Sequence, residues 1–167
     1  ARGALAVSGD VLVKAVQVPQ IRASIANEAS SESAGGMGFV LATNRIARDV
    51  TVKLSPNQAT RDDGLLLTVD GDFRIIASDT SGIAATIDLT AGGSTSAVGA
   101  LIARNDIQGD VRVVFDGLRL DVDGNFTIVA RVAATITSAL SGAVESSGDA
   151  GDGGLAASAL IATNTIL

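Results

Sequence analysis

The tightest constraint on this chain is a repeat. One frame occurs three times, first as Leu5-x-Val7-x-Gly9-Asp10-Val11-x-Val13-x-Ala15 with Ile21 closing it. It returns as Leu67-x-Val69-x-Gly71-Asp72-Phe73-x-Ile75-x-Ala77 with Ile83, and as Leu120-x-Val122-x-Gly124-Asn125-Phe126-x-Ile128-x-Ala130 with Ile136. The Gly-to-Ile separation is 12 each time (9 to 21, 71 to 83, 124 to 136). A second frame follows the first in fixed order: Val40-Leu41-Ala42-Thr43-Asn44-x-Ile46, Leu101-Ile102-Ala103-Arg104-Asn105-x-Ile107 and Leu160-Ile161-Ala162-Thr163-Asn164-x-Ile166. Its asparagines are 61 and 59 residues apart (44 to 105, 105 to 164), so the period is about 60. A fixed period of this size marks units that cannot bury their apolar face alone and do so by stacking. The expected organisation is one array over 1–167: a partial repeat 1–43, repeats 44–104 and 105–163, and the start of another at 164–167.

Within the first frame, apolar residues alternate with free positions, which is the strand period of two. Leu118, Leu120 and Val122 share one face while Arg119 and Asp121 take the other. The pairs Ser8-Gly9, Asp70-Gly71 and Asp123-Gly124 that split the frame read as turns in which glycine accepts positive φ. The second frame is apolar on both sides of Ala42, Ala103 and Ala162 and reads as a strand buried on both faces. Length differences fall in 141–154, matched by 26–36 and 90–99, and in 55–63, all read as loops. The Ala-rich stretch 155–162 is the one segment whose pattern also allows a helix.

These patterns predict an all-β fold, a parallel β-solenoid of about three ~60-residue repeats. Tandem antiparallel β-sandwiches are the alternative. The similarity of Asp49-Val50-x-Val52 to Asp72-Phe73-x-Ile75 favours two coils of roughly 30 residues per repeat over one flattened coil of roughly 60.

Composition narrows the function. Apolar residues make up 47%, but there are four Phe and no Trp or Tyr. Small and β-branched side chains suit regularly stacked layers better than a core built on aromatic anchors. There is no Cys and no His, which removes disulfides, thiolate metal sites, the commonest general base and the commonest transition-metal ligand. A net charge of −6 argues against nucleic acid and against a polybasic membrane anchor. No apolar run approaches the roughly 18–20 residues that span a bilayer. The chain starts at Ala1 without a Met and stops at Leu167 inside a strand pattern, so it is expected to be a piece of a longer protein.

The Gly-Asp-Val-x-Val-x-Ala strand, the Ser/Gly-rich loop and the Ala-x-Asn-x-Ile strand resemble repeats of giant bacterial surface proteins. These are the filamentous haemagglutinin-like and leukotoxin-family filamentous adhesins. The resemblance covers essentially the whole chain and implies a secreted β-solenoid stalk or filament at the bacterial cell surface. It implies no catalytic residue. The 55–63 segment departs from the compact repeat.

Asn44, Asn105 and Asn164 are the most conspicuous polar positions, and a structural role at bends or in stacks outweighs ligand contact. Together with Gly9, Gly71 and Gly124 they are the structural repeat positions. Asp70, Asp72, Asp121 and Asp123, with Asp62 and Asp63 nearby, are weak candidates for calcium, which wants about six to eight oxygens. No EF-hand loop and no Gly-Gly-x-Gly-x-Asp series is present, so no cofactor is expected and calcium is the alternative. Glu145, Asp149 and Asp152 fall in 141–154, read as a solvated insertion rather than a binding loop. No singular cluster breaks the repetition, and the chain is not expected to be an enzyme. An ice-binding Thr ladder is too weakly signalled by Thr86 and Thr135, which sit at different distances from their frame glycines. The expected partners are further rungs, by chain continuation or self-association through strand ends. A surface glycan or host protein is the further candidate, and neither nucleic acid nor membrane insertion is expected.

Overall fold

The computed structural model describes residues 3–32, 34–56, 65–147 and 154–167. Fourteen strands hold most of these residues, and none of them is helical. The strands are β1 (Gly3–Val7), β2 (Val11–Gln17), β3 (Gln20–Ser31), β4 (Gly36–Ala47), β5 (Val50–Leu54), β6 (Leu65–Val69) and β7 (Phe73–Asp79). They continue as β8 (Gly82–Gly93), β9 (Ser96–Gln108), β10 (Val111–Phe115), β11 (Leu118–Val122), β12 (Phe126–Val132), β13 (Thr135–Ser146) and β14 (Leu155–Ile166). The registered pairs are parallel and join a strand to its counterpart in the next repeat. The fold is therefore that of a parallel β-solenoid, and the antiparallel sandwich alternative falls.

The registers place the repeated residues on top of one another. Leu5, Leu67 and Leu120 share a column, as do Ala15, Ala77 and Ala130, and Ile21, Ile83 and Ile136. Every registered pair joins residues about one repeat apart, from Thr135 over Gly82 to Gly3 under Leu65. The two-coil reading, with rungs stacking every ~30 residues, is thereby corrected. The Asp49-Val50-x-Val52 stretch enters β5, which pairs with β10, whereas Phe73 begins β7, which lies between β2 and β12. Their likeness is that of two strand starts and not of two stacked rungs.

The chain alternates between two compact units, and each repeat supplies one rung to each. Unit 1 comprises Ala1–Pro19, Ala47–Ser81 and Gly109–Ala134. It contains the sheets β1-β6-β11, β5-β10 and β2-β7-β12 around a core of Val50, Val52, Leu67, Val69, Phe73, Ile75 and Ala77. Phe73 stacks on Phe126 with ring centroids 5.5 Å apart. Unit 2 comprises Gln20–Ile46, Gly82–Gln108 and Thr135–Leu167. Its sheets, β3-β8-β13 and β4-β9-β14, hold a core of Val40, Ala42, Ile87, Leu89, Leu101 and Ala103.

Three local expectations change. First, β4 alternates buried and exposed residues and is one-sided: Val40 and Ala42 point in, while Leu41 is 58% exposed. The second frame's outward apolar residues are surface, not core. Second, the described residues of the Ser/Gly-rich segments are mostly strand. β3 runs to Ser31, β8 to Gly93 and β13 to Ser146, while β9 starts at Ser96. Glycine serves there by close approach, because a Cβ on Gly36 would lie 2.9 Å from Gly92 C and one on Gly99 would lie 2.9 Å from Val144 Cγ2. The ambiguous 155–162 stretch is likewise strand, within β14. Third, of the three frame glycines only Gly9 has a positive φ, 149°. Gly71 and Gly124 are required by rung-to-rung spacing, since a Cβ on Gly71 would sit 2.7 Å from Gly9 C and one on Gly124 would sit 2.6 Å from Gly71 C. The left-handed turn glycine is Gly117, at φ 66°. Residues 57–63 of the 55–63 segment, including Asp62 and Asp63, lie outside the described residues, as do Asp149 and Asp152.

Candidate functional site

The second frame builds a column of amides inside unit 2. Asn44 Nδ2 donates to Asn105 Oδ1 at 2.9 Å, and Asn105 Nδ2 donates to Asn164 Oδ1 at 2.9 Å. Asn105 Nδ2 also donates to Ser138 Oγ at 2.7 Å, and Ser138 donates to Asn164 Oδ1 at 2.9 Å. Asn105 is fully buried. A buried amide is costly unless its donors and acceptors are met, and stacked parallel strands meet them by offering the same amide one rung away. These contacts engage both ends of the Asn105 amide with protein. Its place is inside the stack, bonded to stacked neighbours.

The first frame builds a second column in unit 1. Asp10 Oδ1 accepts the backbone N–H of Asp72 at 2.8 Å. Asp72 Oδ1 in turn accepts the Asn125 backbone N–H at 2.8 Å and its Nδ2 at 3.1 Å. Each carboxylate thus holds the turn of the next rung. Asp49 does the same for Asp110, whose backbone N–H donates to Asp49 Oδ1 at 3.0 Å. Asp110 also pairs with Arg112 and raises the guanidinium pKa above its usual value, through the hydrogen bond first and the charge second.

The calcium candidates are not gathered. Asp72 is committed to Asn125, while Asp70 and Asp123 donate backbone N–H groups to Val7 O and Val69 O at 3.0 and 2.9 Å. Asp121 stands on β11 in register with Thr68. Among the described residues no group of three His, Cys, Asp or Glu side chains is placed to hold a metal. Thr86 lies between Ser24 and Ala139, so no Thr ladder forms in that column.

Two features escaped the sequence reading. Asp79 is only 4% exposed, and Ser81 Oγ lies 2.7 and 2.8 Å from its two carboxylate oxygens. Its column neighbours are Gln17 and Val132, so it is a place where the repeats disagree, and that disagreement was the available signal. The other feature is a groove of about 650 Å3 on unit 1, lined by Asp10, Leu12, Asp72, Arg74, Asn125 and Thr127 among others. It runs along the outward side of β2-β7-β12 and beside the carboxylate column.

The class that fold and site define is an all-β repeat protein of the parallel β-solenoid type, with polar columns that tie rung to rung. No protein-family model, no curated protein and no solved structure matches the chain significantly.

Proposed function

We propose that this chain is a structural or adhesive segment of a long extracellular repeat protein, forming a stalk or filament at a bacterial cell surface. The observation that carries this reading is the equivalence of the rungs. Leucine, alanine, isoleucine and asparagine columns run through all of them, and each rung presents to the next the surface it received. Side chains buried in the middle rung are open in the last: Phe73 is 1% exposed and Phe126 46%, and Leu101 is 0% and Leu160 43%. A further rung, from a longer chain or from a second molecule, covers them. In a filament of this kind the columns serve cohesion, and catalysis is not part of the role.

Electron microscopy of the purified protein with and without a calcium chelator tests this. Filaments with an axial repeat that is a multiple of about 4.8 Å, the strand spacing, support the reading. Discrete particles that never elongate, at any concentration, overturn it.

A second reading is supported by the unit 1 groove, whose acidic, amide, hydroxyl and guanidinium groups suit a polyhydroxylated ligand such as a surface glycan. Saturable binding on a glycan array, lost in Arg74→Ala, would favour a binding module.

A further inference from the structure

Two outer faces of this chain carry charge of opposite sign. The outward side of β2-β7-β12, in unit 1, carries Lys14, Arg74 and Arg131, one to a rung. The outward side of β3-β8-β13, in unit 2, carries Glu28, Asp88 and Glu145, again one to a rung. All six are exposed, and none takes part in an ion pair among the described residues. The offsets are the same on both faces. Lys14 is in register with Ile76, two residues beyond Arg74, and Arg131 with Ser78, four residues beyond it. Glu28 is in register with Thr90, two residues beyond Asp88, and Glu145 with Gly92, four residues beyond it.

We infer that the basic face of one copy of this chain docks on the acidic face of a second copy, sheet on sheet, with the two stacks pointing the same way. Charge complementarity selects the occupant, since the chain itself carries both halves. Two facing sheets whose stacks are parallel have opposed strands. With Lys14 set over Glu28, Arg74 then lies one rung from Glu145, and Arg131 one rung from Asp88. A rung is about 4.8 Å, within the reach of these side chains. The same placement sets Val16 over Ala26, Val129 over Ala143 and Leu12 over Ser30, so each protruding apolar side chain meets a small one. Arg22 stands four residues before the column of Asp88 and falls past the end of the shorter face. Asp10 and Asp72, at the other margin, already accept N–H groups of the next rung. Glu32 follows β3 at that margin, and its repulsion keeps the contact weak. Seven residues at about 3.3 Å and three rungs at about 4.8 Å give about 330 Å2 on each side. That is below the area of a stable interface, so the contact is transient for one chain and gains strength only with the number of rungs. Because the surfaces differ, the association is heterologous and stays open to further copies.

The inference concerns lateral faces and is independent of axial stacking, which uses strand edges. Sedimentation equilibrium of the 167-residue chain over a wide concentration range tests it, with circular dichroism confirming the fold of each variant. The expected result is self-association that weakens about tenfold between roughly 0.01 and 0.1 M salt, as the screening length shortens from about 30 to about 10 Å. Neutralising the basic face (Lys14→Gln, Arg74→Gln and Arg131→Gln together) weakens it by about tenfold. Neutralising the acidic face (Glu28→Gln, Asp88→Asn and Glu145→Gln together) weakens it to a similar degree. The second variant is the diagnostic one. The chain carries a net charge of −6, so on net charge alone the loss of three negative charges would relieve repulsion and strengthen association. Exchanging the faces (Lys14→Glu, Arg74→Glu and Arg131→Glu with Glu28→Lys, Asp88→Lys and Glu145→Lys) keeps the net charge and recovers the association. A chain that stays monomeric at low salt overturns the inference, as does an acidic-face variant that associates as well as the wild type or better. Association indifferent to salt and to both triple variants also overturns it, and leaves axial stacking through the strand edges standing.

Discussion

Asn105 donates to Asn164 across one rung while accepting from Asn44 across the other, so a single buried amide is bonded to both neighbouring repeats. Replacing it with Leu leaves Asn44 Nδ2, Asn164 Oδ1 and the Ser138 hydroxyl short of partners at once. The expected loss is about 2–3 kcal/mol of stability in urea unfolding. The exposed Asn164, replaced by Ala, should cost about 1 kcal/mol or less. Equal losses at the two positions would contradict a cohesive column.

Asp72 holds the following turn through a carboxylate oxygen that receives two N–H groups from Asn125. Asp72→Ala removes both and should cost about 1–2 kcal/mol. Asp72→Asn keeps an oxygen in place and should cost less. Thermal melts in millimolar calcium and in chelator should coincide for the wild type, because Asp72 serves a backbone turn. A calcium-dependent rise that Asp72→Asn abolishes would restore the metal reading.

Gly99 faces Leu89 and Val144, and an added Cβ would stand 2.9 Å from each. Gly99→Ala should therefore destabilise by about 1–3 kcal/mol through overpacking. Gly92→Ala, where a Cβ meets nothing within 4 Å, should be near neutral. The pair separates close approach from turn chemistry as the reason for glycine in these segments, and chemical denaturation of both variants measures it.

The residues that sequence reasoning placed well are those whose physics repeats. Leu5, Leu67 and Leu120 could be aligned from the sequence because stacked parallel strands put like residues in one column, and the registers follow that alignment. The rung length was misjudged because Asp49-Val50 and Asp72-Phe73 share only a strand start, which says nothing about what lies one rung away. The glycine-rich segments were misread because Gly99 looks like a turn residue locally, whereas its cause is the side chains of Leu89 and Val144 on other strands. Asp79 was invisible for the opposite reason: its column neighbours are Gln17 and Val132, and a residue that occurs once leaves no mark in a repeat. The outer apolar face was hidden in plain view, since Leu41 and Ile102 read as core until alternation in β4 turned them outward.

Ile75 is fully buried in the middle strand of β2-β7-β12. Proline there removes a ladder donor and cannot be moved to an edge. Ile75→Pro should abolish cooperative unfolding by circular dichroism, whereas the notionally equivalent Ile128→Pro, on the outermost strand of that sheet, should leave a folded chain that no longer elongates. Normal assembly of Ile128→Pro would show that β12 is not the edge through which rungs are added.

Phe73 and Phe126 give the most direct reading of axial continuation. They stack in one column, yet Phe73 is 1% exposed and Phe126 46%. In an isolated molecule, Phe73→Ala should cost about 3–5 kcal/mol by cavity formation, and Phe126→Ala markedly less because much of its ring already meets water. If a further rung covers Phe126 in the assembled state, its burial there approaches that of Phe73, and the two substitutions should destabilise assembled material to a similar degree. Unfolding both variants at low and at high protein concentration makes the comparison. A gap between them that closes as concentration rises identifies self-stacking through the last rung. A gap that persists, with no change in sedimentation, means that isolated copies do not supply the covering rung to one another.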